Sequence, residues 1–423
     1  MGLAYRLAAR LAHRAPHTSR TLGASLAGRR DAHRRWAAWA AGSPDARSLW
    51  VHAASVGEAL AAEPVVRRLR TAAPGVRVAL THTSPSVTPF PLPWAERIDY
   101  LPLDEPHPVA VTLDALRPRL LLFSRGDLWP ELVGAAAARG VPIAASGATV
   151  RPSSLRLRWP ARALLSRVYR GIRYLGAVSA EDADRWVRLG VPRTAIEVTG
   201  DPRHDQLVER LPDLTAIAPL RVWADAGSVL VGGSTEPADE PMLCAWAAAL
   251  RETGHPARLL LVPHDPAESR IQRVARHAAQ AGLRVEVWSA GDVEGQPDVV
   301  VVARRGVLAD LYALASVAYV GGGFRRGGLH AVAEPAAWGV PLVVGPRWRT
   351  VPDAAALVAV GAAWALTPSV ARAMPAIVRR WLDDRDARDA AGLAGRAVVA
   401  GGAASRTASA LAPLLDVPTL GRI

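Results

Sequence analysis

The chain contains no lysine: all 51 of its basic residues are arginine, set against 38 acidic residues, for a formal net charge of +13. Alanine and proline are abundant as well, which reads as the coding bias of a GC-rich genome. The positive charge by itself therefore does not argue for nucleic-acid binding. No arginine block interleaved with aromatics and no zinc-finger or RNA-binding signature stands out, so nucleic acid is not an expected partner. A basic surface still favours anionic lipid or phosphorylated substrates. There is a single cysteine, Cys244, which excludes an intrachain disulfide, argues against a thiolate metal site and suits a reducing compartment. Long apolar runs are missing too. No stretch of about 18 uncharged apolar residues occurs, and no transmembrane helix is expected.

Near the N-terminus, Arg6, Arg10 and Arg14 interrupt any apolar run of the kind a signal peptide needs. Leu3, Leu7 and Leu11 recur every four residues with those arginines on the flank, the pattern of an amphipathic helix. Such a helix either packs on its own domain or lies in a membrane interface, leucines toward the acyl chains and arginines toward phosphates.

A chain of 423 residues with 50% apolar and 21% charged content is globular and too long for one ordinary core, so two domains are expected. From residue 48 onward, short β-rich runs alternate with helical patterns. Strands are expected at 49–53, 76–81, 120–123, 141–146 and 174–178. A second series follows at 228–232, 259–263, 285–288, 299–302, 317–320 and 341–344. Helices fit between them, for example at 59–72, 240–253 and 267–281. Alternation of this kind implies βαβ units and parallel sheets. The looser stretch 211–226, with Pro212 and Pro219, marks a boundary. The expected division is an N-terminal segment 1–35, a first domain 36–212 and a second domain 213–423, with the last helix a candidate to rejoin the first domain.

The fold class is therefore α/β, with two Rossmann-like, doubly wound parallel-sheet domains. Ligand crevices in such sheets lie at the carboxyl ends of the strands. If those ends face each other across a cleft, the arrangement is the GT-B one.

Seven segments, six of them at expected strand ends, carry polar chemistry. Ser55, Gly57 and Glu58 lie between a strand and a helix, where Glu58 is either functional or a helix-dipole partner. Thr81 to Ser86, with Thr83 and Ser84, is a hydroxyl-rich segment or a capped polar turn. Arg125 and Asp127 follow a buried strand, although Asp127 also fits a helix N-cap. Gly200-Asp201-Pro202-Arg203 is a turn of low specificity. Gly233, Ser234 and Thr235 suit a phosphate cradle built from backbone N–H groups, without the lysine of a P-loop. Pro263 and His264 follow another strand. The most informative segment runs from Gly321 to Pro335. Its glycines, Gly322 and Gly323 among them, permit close backbone approach. Arg325 can pair with a phosphate, and Glu334 suits a ribose diol.

Taken jointly and in order, these motifs resemble the 3-deoxy-D-manno-oct-2-ulosonic acid (Kdo) transferases over about residues 36–400. His52-Ala53-Ala54-Ser55-Val56-Gly57-Glu58, Tyr100-Leu101-Pro102-Leu103-Asp104, Asp127-Leu128-Trp129-Pro130, Gly233-Ser234-Thr235, Pro263-His264 and the Gly321–Pro335 region carry the resemblance. It implies a GT-B fold and an inverting, metal-independent transfer of Kdo from CMP-Kdo to a lipid A precursor, without a cofactor. Glu58 would be the catalytic base. Ser55, Gly57, Thr83, Ser84, Arg125 and Asp127 would meet the acceptor. Gly233, Ser234, Thr235, Pro263, His264, Gly322, Gly323, Arg325, His330 and Glu334 would meet the donor. The expected location is peripheral, on the cytoplasmic face of the bacterial inner membrane.

Two positions depart from the family pattern. Arg125 stands where many members carry glutamate, and Ala331 follows His330 where asparagine is usual. If Arg125 lies near Glu58, its charge is expected to hold that carboxylate ionised. The rival readings are another GT-B glycosyltransferase, a nucleotide-sugar epimerase and a non-catalytic paralogue.

Overall fold

The computed structural model describes residues 20–43, 45–209, 214–255, 257–325, 328–367 and 376–415. The leucine–arginine stretch expected to form an amphipathic helix, and Arg326 and Gly327 of the glycine-rich loop, lie outside the described residues. Two compact units emerge: one takes the chain up to Gln206 and again from Gly401, the other Leu207–Ala400.

The first unit holds β1 (Ser48–His52), β2 (Arg77–His82), β3 (Arg97–Tyr100), β4 (Leu120–Ser124), β5 (Ile143–Ala148), β6 (Tyr174–Ala177) and β7 (Ile196–Val198). They pair in the order β3-β2-β1-β4-β5-β6-β7, every pair parallel. The second unit holds β8 (Val229–Thr235), β9 (Arg258–Pro263), β10 (Val285–Trp288), β11 (Val299–Val302), β12 (Val317–Val320), β13 (Leu342–Val344) and β14 (Ala363–Ala365). Their order is β10-β11-β9-β8-β12-β13-β14, again parallel throughout.

Central strands read as unbroken apolar runs because helices cover both faces of a parallel sheet. β4 and β11 are buried at every position. The pleat then sorts side chains by period two. Along β1, Trp50 joins Trp36, Phe123 and Trp186 on one face. Its neighbours Leu49 and Val51 join Val65, Leu122 and Leu411 on the other. In the second unit Val231 and Leu260 face one core, while Leu230 and Leu261 face the other.

Three strands escape the apolar pattern: β3, β7 and β14. Each is an edge strand, and each exposes part of its surface, so no continuous apolar run marks it.

The expected N-terminal limit shifts, whereas the return of the last helix to the first unit agrees with the expectation. Residues 20–35 belong to the fold of the first unit and do not form a separate segment. They contribute to helices Arg20–Arg30 and Ala32–Ala41. Buried Arg29 donates from Nε to the Leu101 carbonyl at 3.1 Å and from Nη2 to the Pro102 carbonyl at 3.0 Å. Arg35 grips Asp99 through two bonds. At the other end, helix Ala403–Leu415 belongs to the first unit, packing Ala404, Ala408 and Leu411 beside Val65, Val66 and Leu69 of helix Val56–Ala72. Its start is fixed by buried Asp205, which accepts from the Gly402 and Ala404 N–H groups at 2.7 and 3.1 Å, as the unsatisfied donors of a helix N-terminus require.

Both sheets reverse their winding direction beside their first strand. β1 lies between β2 and β4, and β8 between β9 and β12. Such a switch point opens a crevice at the strands' carboxyl ends.

Candidate active site

In the first unit, β1 runs through Ala53–Ser55 into helix Val56–Ala72. Ser55 caps that helix, its Oγ accepting from the Glu58 N–H at 3.4 Å. The Glu58 carboxylate reaches back, Oε2 accepting from the Ala54 N–H at 2.8 Å. The exchange is close to a capping box, and it fixes the carboxylate at the switch point. No cation pairs with Glu58 among the described residues. Burial raises its pKa; the Ala54 bond opposes, the Asp127 charge adds to the rise, and His52 and Arg125 pull the other way. Arg125 does lower the Glu58 pKa, as expected, but it comes last among these causes and burial leaves the pKa raised.

Across the switch, β4 leads into Arg125, whose φ of 64° lies in the left-handed region. The Ser124 hydroxyl donates to the Glu58 carbonyl at 2.8 Å, joining the two strand ends. Arg125 Nη1 bonds Asp201 Oδ2 at 3.0 Å, and Arg203 reaches the same oxygen at 2.7 Å. Burial works to raise the Asp201 pKa, but the two arginines drive it far below the usual carboxylate range. The low-specificity turn at Gly200–Arg203 therefore braces Arg125. Asp127 does not cap a helix: the helix Pro130–Ala138 has Trp129 at its N-cap. The Asp127 carboxylate accepts instead from Trp129 Nε1 at 3.2 Å and lies 3.5 Å from His52 Nε2. Burial opposes its ionisation, yet the His52 and Trp129 contacts leave its pKa lowered.

Glu58, Arg125 and Asp127 share a pocket of about 720 Å³, whose wall also includes Arg151, Ser154 and Arg156. Ser55, Gly57, Thr83 and Ser84 are not among its lining residues. The Thr83 hydroxyl and the Ser84 N–H both donate to the Ala54 carbonyl, at 3.3 and 2.9 Å, so the hydroxyl-rich segment braces the turn that holds Glu58. Arg151, Ser154 and Arg156 come from the loop after β5, where no local motif marks them.

In the second unit, a pocket of about 370 Å³ is lined by Ser234, His264, Leu308, Tyr312, His330 and Glu334, among others. Ser234 has a φ of 48° at the end of β8. Glu334 sits in the first turn of helix Ala333–Ala337. The His264 and His330 rings stack, centroids 4.2 Å apart. Glu236 accepts from Arg325 and lies 3.3 Å from His330 Nε2. Burial resists the ionisation of Glu236, but Arg325 and His330 leave its pKa lowered. Burial likewise lowers the His330 pKa.

The remaining expected donor residues are not among those that line this pocket. The Thr235 hydroxyl is buried and donates to Glu240. Pro263 ends β9. Gly322 takes a φ of 90°. Gly323 presses backbone to backbone against Gly345, leaving no room for a Cβ, so this glycine closes the floor of the loop. Arg325 points one arm at Glu236. Leu308 and Tyr312 come from the segment before β12, which carried no sequence signal. Among the described residues, Glu236, His264 and His330 offer one metal-ligand atom each within 4.8 Å of one another. Arg325 already neutralises that carboxylate.

These two units, each with a polar pocket at its switch point, define a chain with two GT-B-like halves. The fold matches that of the UDP-GlcNAc 2-epimerase from Neisseria meningitidis bound to UDP-GlcNAc, with a TM-score of 0.58 at 14% identity over 86% of this chain and 99% of that one. Residues 25–206 match the family model for 3-deoxy-D-manno-octulosonic-acid transferase (kdotransferase). The chain is 34% identical to the 3-deoxy-D-manno-octulosonic acid transferase of Bordetella pertussis, across 80% of this chain and 84% of the relative. It is 25% identical to that of Haemophilus influenzae, across 89% of each. The chain belongs to the Kdo transferase family of glycosyltransferases.

Proposed function

We propose that the protein transfers Kdo from CMP-Kdo to a lipid A precursor, with inversion and without a metal, in lipopolysaccharide core biosynthesis. The observation that carries this reading is the Glu58 carboxylate. It has no cationic partner among the described residues, its pKa is raised by burial, and it lines a pocket with Arg125, Arg151 and Arg156. A base should hold its proton affinity high while staying within reach of a hydroxyl. An acceptor lipid carrying phosphates suits the arginines of the same wall.

In the proposed step, an acceptor hydroxyl gives its proton to Glu58 as its oxygen bonds the anomeric carbon of Kdo. The bond from that carbon to the CMP phosphate breaks, and CMP leaves with the electron pair. Displacement from the opposite face inverts the carbon. Ser234, His264, His330 and Glu334 would take the nucleotide, with Glu334 on the ribose. Arg325 and backbone N–H groups would meet the phosphate charge. Arg125, held by Asp201, would anchor the acceptor phosphate or the sugar carboxylate.

Among the described residues, no helix is long and apolar enough to cross a membrane. With a lipid acceptor, the proposed location is peripheral, on the cytoplasmic face of the inner membrane. The test is incubation with CMP-Kdo and a tetraacylated lipid A precursor, the product mass being read directly. A mass gain of one or more Kdo units supports the reading; an unchanged acceptor with intact CMP-Kdo refutes it.

A further inference from the structure

Between Arg151 and Arg173 the chain carries seven arginines and no acidic residue. With Trp159 and Tyr169 among those arginines, this run corrects the expectation that no arginine block interleaved with aromatics stands out. Tyr169 is buried, whereas Trp159 is 81% and Leu155 71% exposed, the two most exposed of the large apolar side chains apart from Val222. In the same segment Arg151, Arg158, Arg162, Arg167, Arg170 and Arg173 are exposed. None of these six arginines pairs with a carboxylate among the described residues.

The segment is fixed to the pocket wall. Leu157 and Leu165 anchor it in the core of the first unit. Arg156 Nη1 donates to the Gly126 carbonyl at 2.6 Å, and the Tyr169 hydroxyl donates to the Leu128 carbonyl at 3.2 Å. Those two carbonyls flank Asp127. Arg151 and Arg156 also line the Glu58 pocket. The exposed tryptophan and leucine are thus held on a rigid loop that continues into the candidate acceptor site.

We infer that residues 151–173 form a docking surface for an anionic phospholipid bilayer, with Trp159 and Leu155 entering the headgroup boundary and the exposed arginines meeting lipid phosphates. The inference rests on the lipid-acceptor reading above, and it adds a surface outside the N-terminal residues. Tryptophan and leucine beside arginine have the chemistry of an interfacial contact: the ring and aliphatic chain leave water while guanidinium groups stay with phosphate. A segment with six exposed arginines and no carboxylate of its own is complementary to an anionic surface.

The experiment measures partition of the full chain onto vesicles of phosphatidylcholine alone and of phosphatidylcholine with phosphatidylglycerol. Two double variants are compared with the parent: Leu155→Ser with Trp159→Ser, and Arg158→Glu with Arg162→Glu. None of these four side chains lines either pocket. The parent is expected to prefer the anionic vesicles. Each double variant should partition roughly tenfold less well, since each basic residue near an anionic surface and each interfacial aromatic contributes measurably to binding. Transfer to a detergent-dispersed acceptor should be retained, while transfer to a vesicle-embedded acceptor should fall. Partition of both variants equal to that of the parent overturns the docking surface. A parent that lacks transfer under every condition refutes the enzymatic reading instead, and partition still tests the surface independently.

Discussion

Two glutamates occupy equivalent places in the two units and are treated in opposite ways. Glu58 follows β1 and Glu236 follows β8, each the first strand of its sheet and each beside the switch in winding. Burial raises the Glu58 pKa, and the opposing pull of His52 and Arg125 does not offset it. Glu236 is clamped by Arg325 and His330, and its pKa is lowered. A carboxylate of the first kind can take a proton; one of the second kind is a fixed negative post that orients its neighbours. The same fold position therefore supplies a candidate base in one unit and a scaffold in the other. The difference lies in whether a guanidinium is delivered from the strand across the switch. In the first unit that guanidinium, Arg125, is drawn away to Asp201. In the second, Arg325 turns onto the glutamate.

The largest effect should come from Glu58→Gln. Removing a general base typically costs about 10²- to 10⁴-fold in rate, and turnover should fall on that scale while CMP affinity is unchanged. A near-parental rate would make Glu58 only a helix-capping residue. Next comes Glu334→Ala, proposed to lose a ribose contact. CMP binding measured by calorimetry should weaken by about 1–3 kcal/mol, the usual cost of removing a hydrogen bond to a charged group. Unchanged affinity would remove Glu334 from the nucleotide site.

Arg125→Ala should act more mildly, raising the KM for acceptor or donor more than it lowers kcat. It also moves the pH profile. Glu58 works ionised, so activity falls as the pH drops through its pKa. Because that pKa is raised, the acid limb of kcat/KM should lie above the ordinary glutamate range of about 4.3. The Arg125 charge lowers the Glu58 pKa, so its removal should shift the limb to still higher pH. A limb that stays in place would show that the acid limb is not set by Glu58. The smallest effect should follow chelation. Treatment with EDTA should leave the transfer rate unchanged, since Arg325 already satisfies Glu236. A rate that collapses and returns with added divalent cation would recast Glu236, His264 and His330 as metal ligands.

Much of this was legible in the sequence. Central strands such as β4 and β11 are unbroken apolar runs because both faces of a parallel sheet are buried, and the polar loops at their ends mark the strand ends where crevices open. Edge strands β3, β7 and β14 were not legible, since a half-exposed strand need not be apolar. Within the site, Glu58, Arg125, Asp127, Ser234, His264, His330 and Glu334 were all nameable from motifs. The arginines after β5 and Tyr312 before β12 were not, because they lie in segments without local pattern and reach their pockets only through the sheet order.

The chain's own residues determined two parallel-sheet units, the family resemblance and which polar groups stand at strand ends, because hydrophobic period and glycine-rich turns are local properties. Only the tertiary structure decided what each group does there. It assigned Thr83 and Ser84 to bracing a turn and tied Arg125 to Asp201. It returned helix Ala403–Leu415 to the first unit, and it left Trp159 in solvent amid unpaired arginines. Protonation, pairing and exposure depend on which residues distant in sequence come within a few ångströms, and burial and charge act over that distance without regard to chain order.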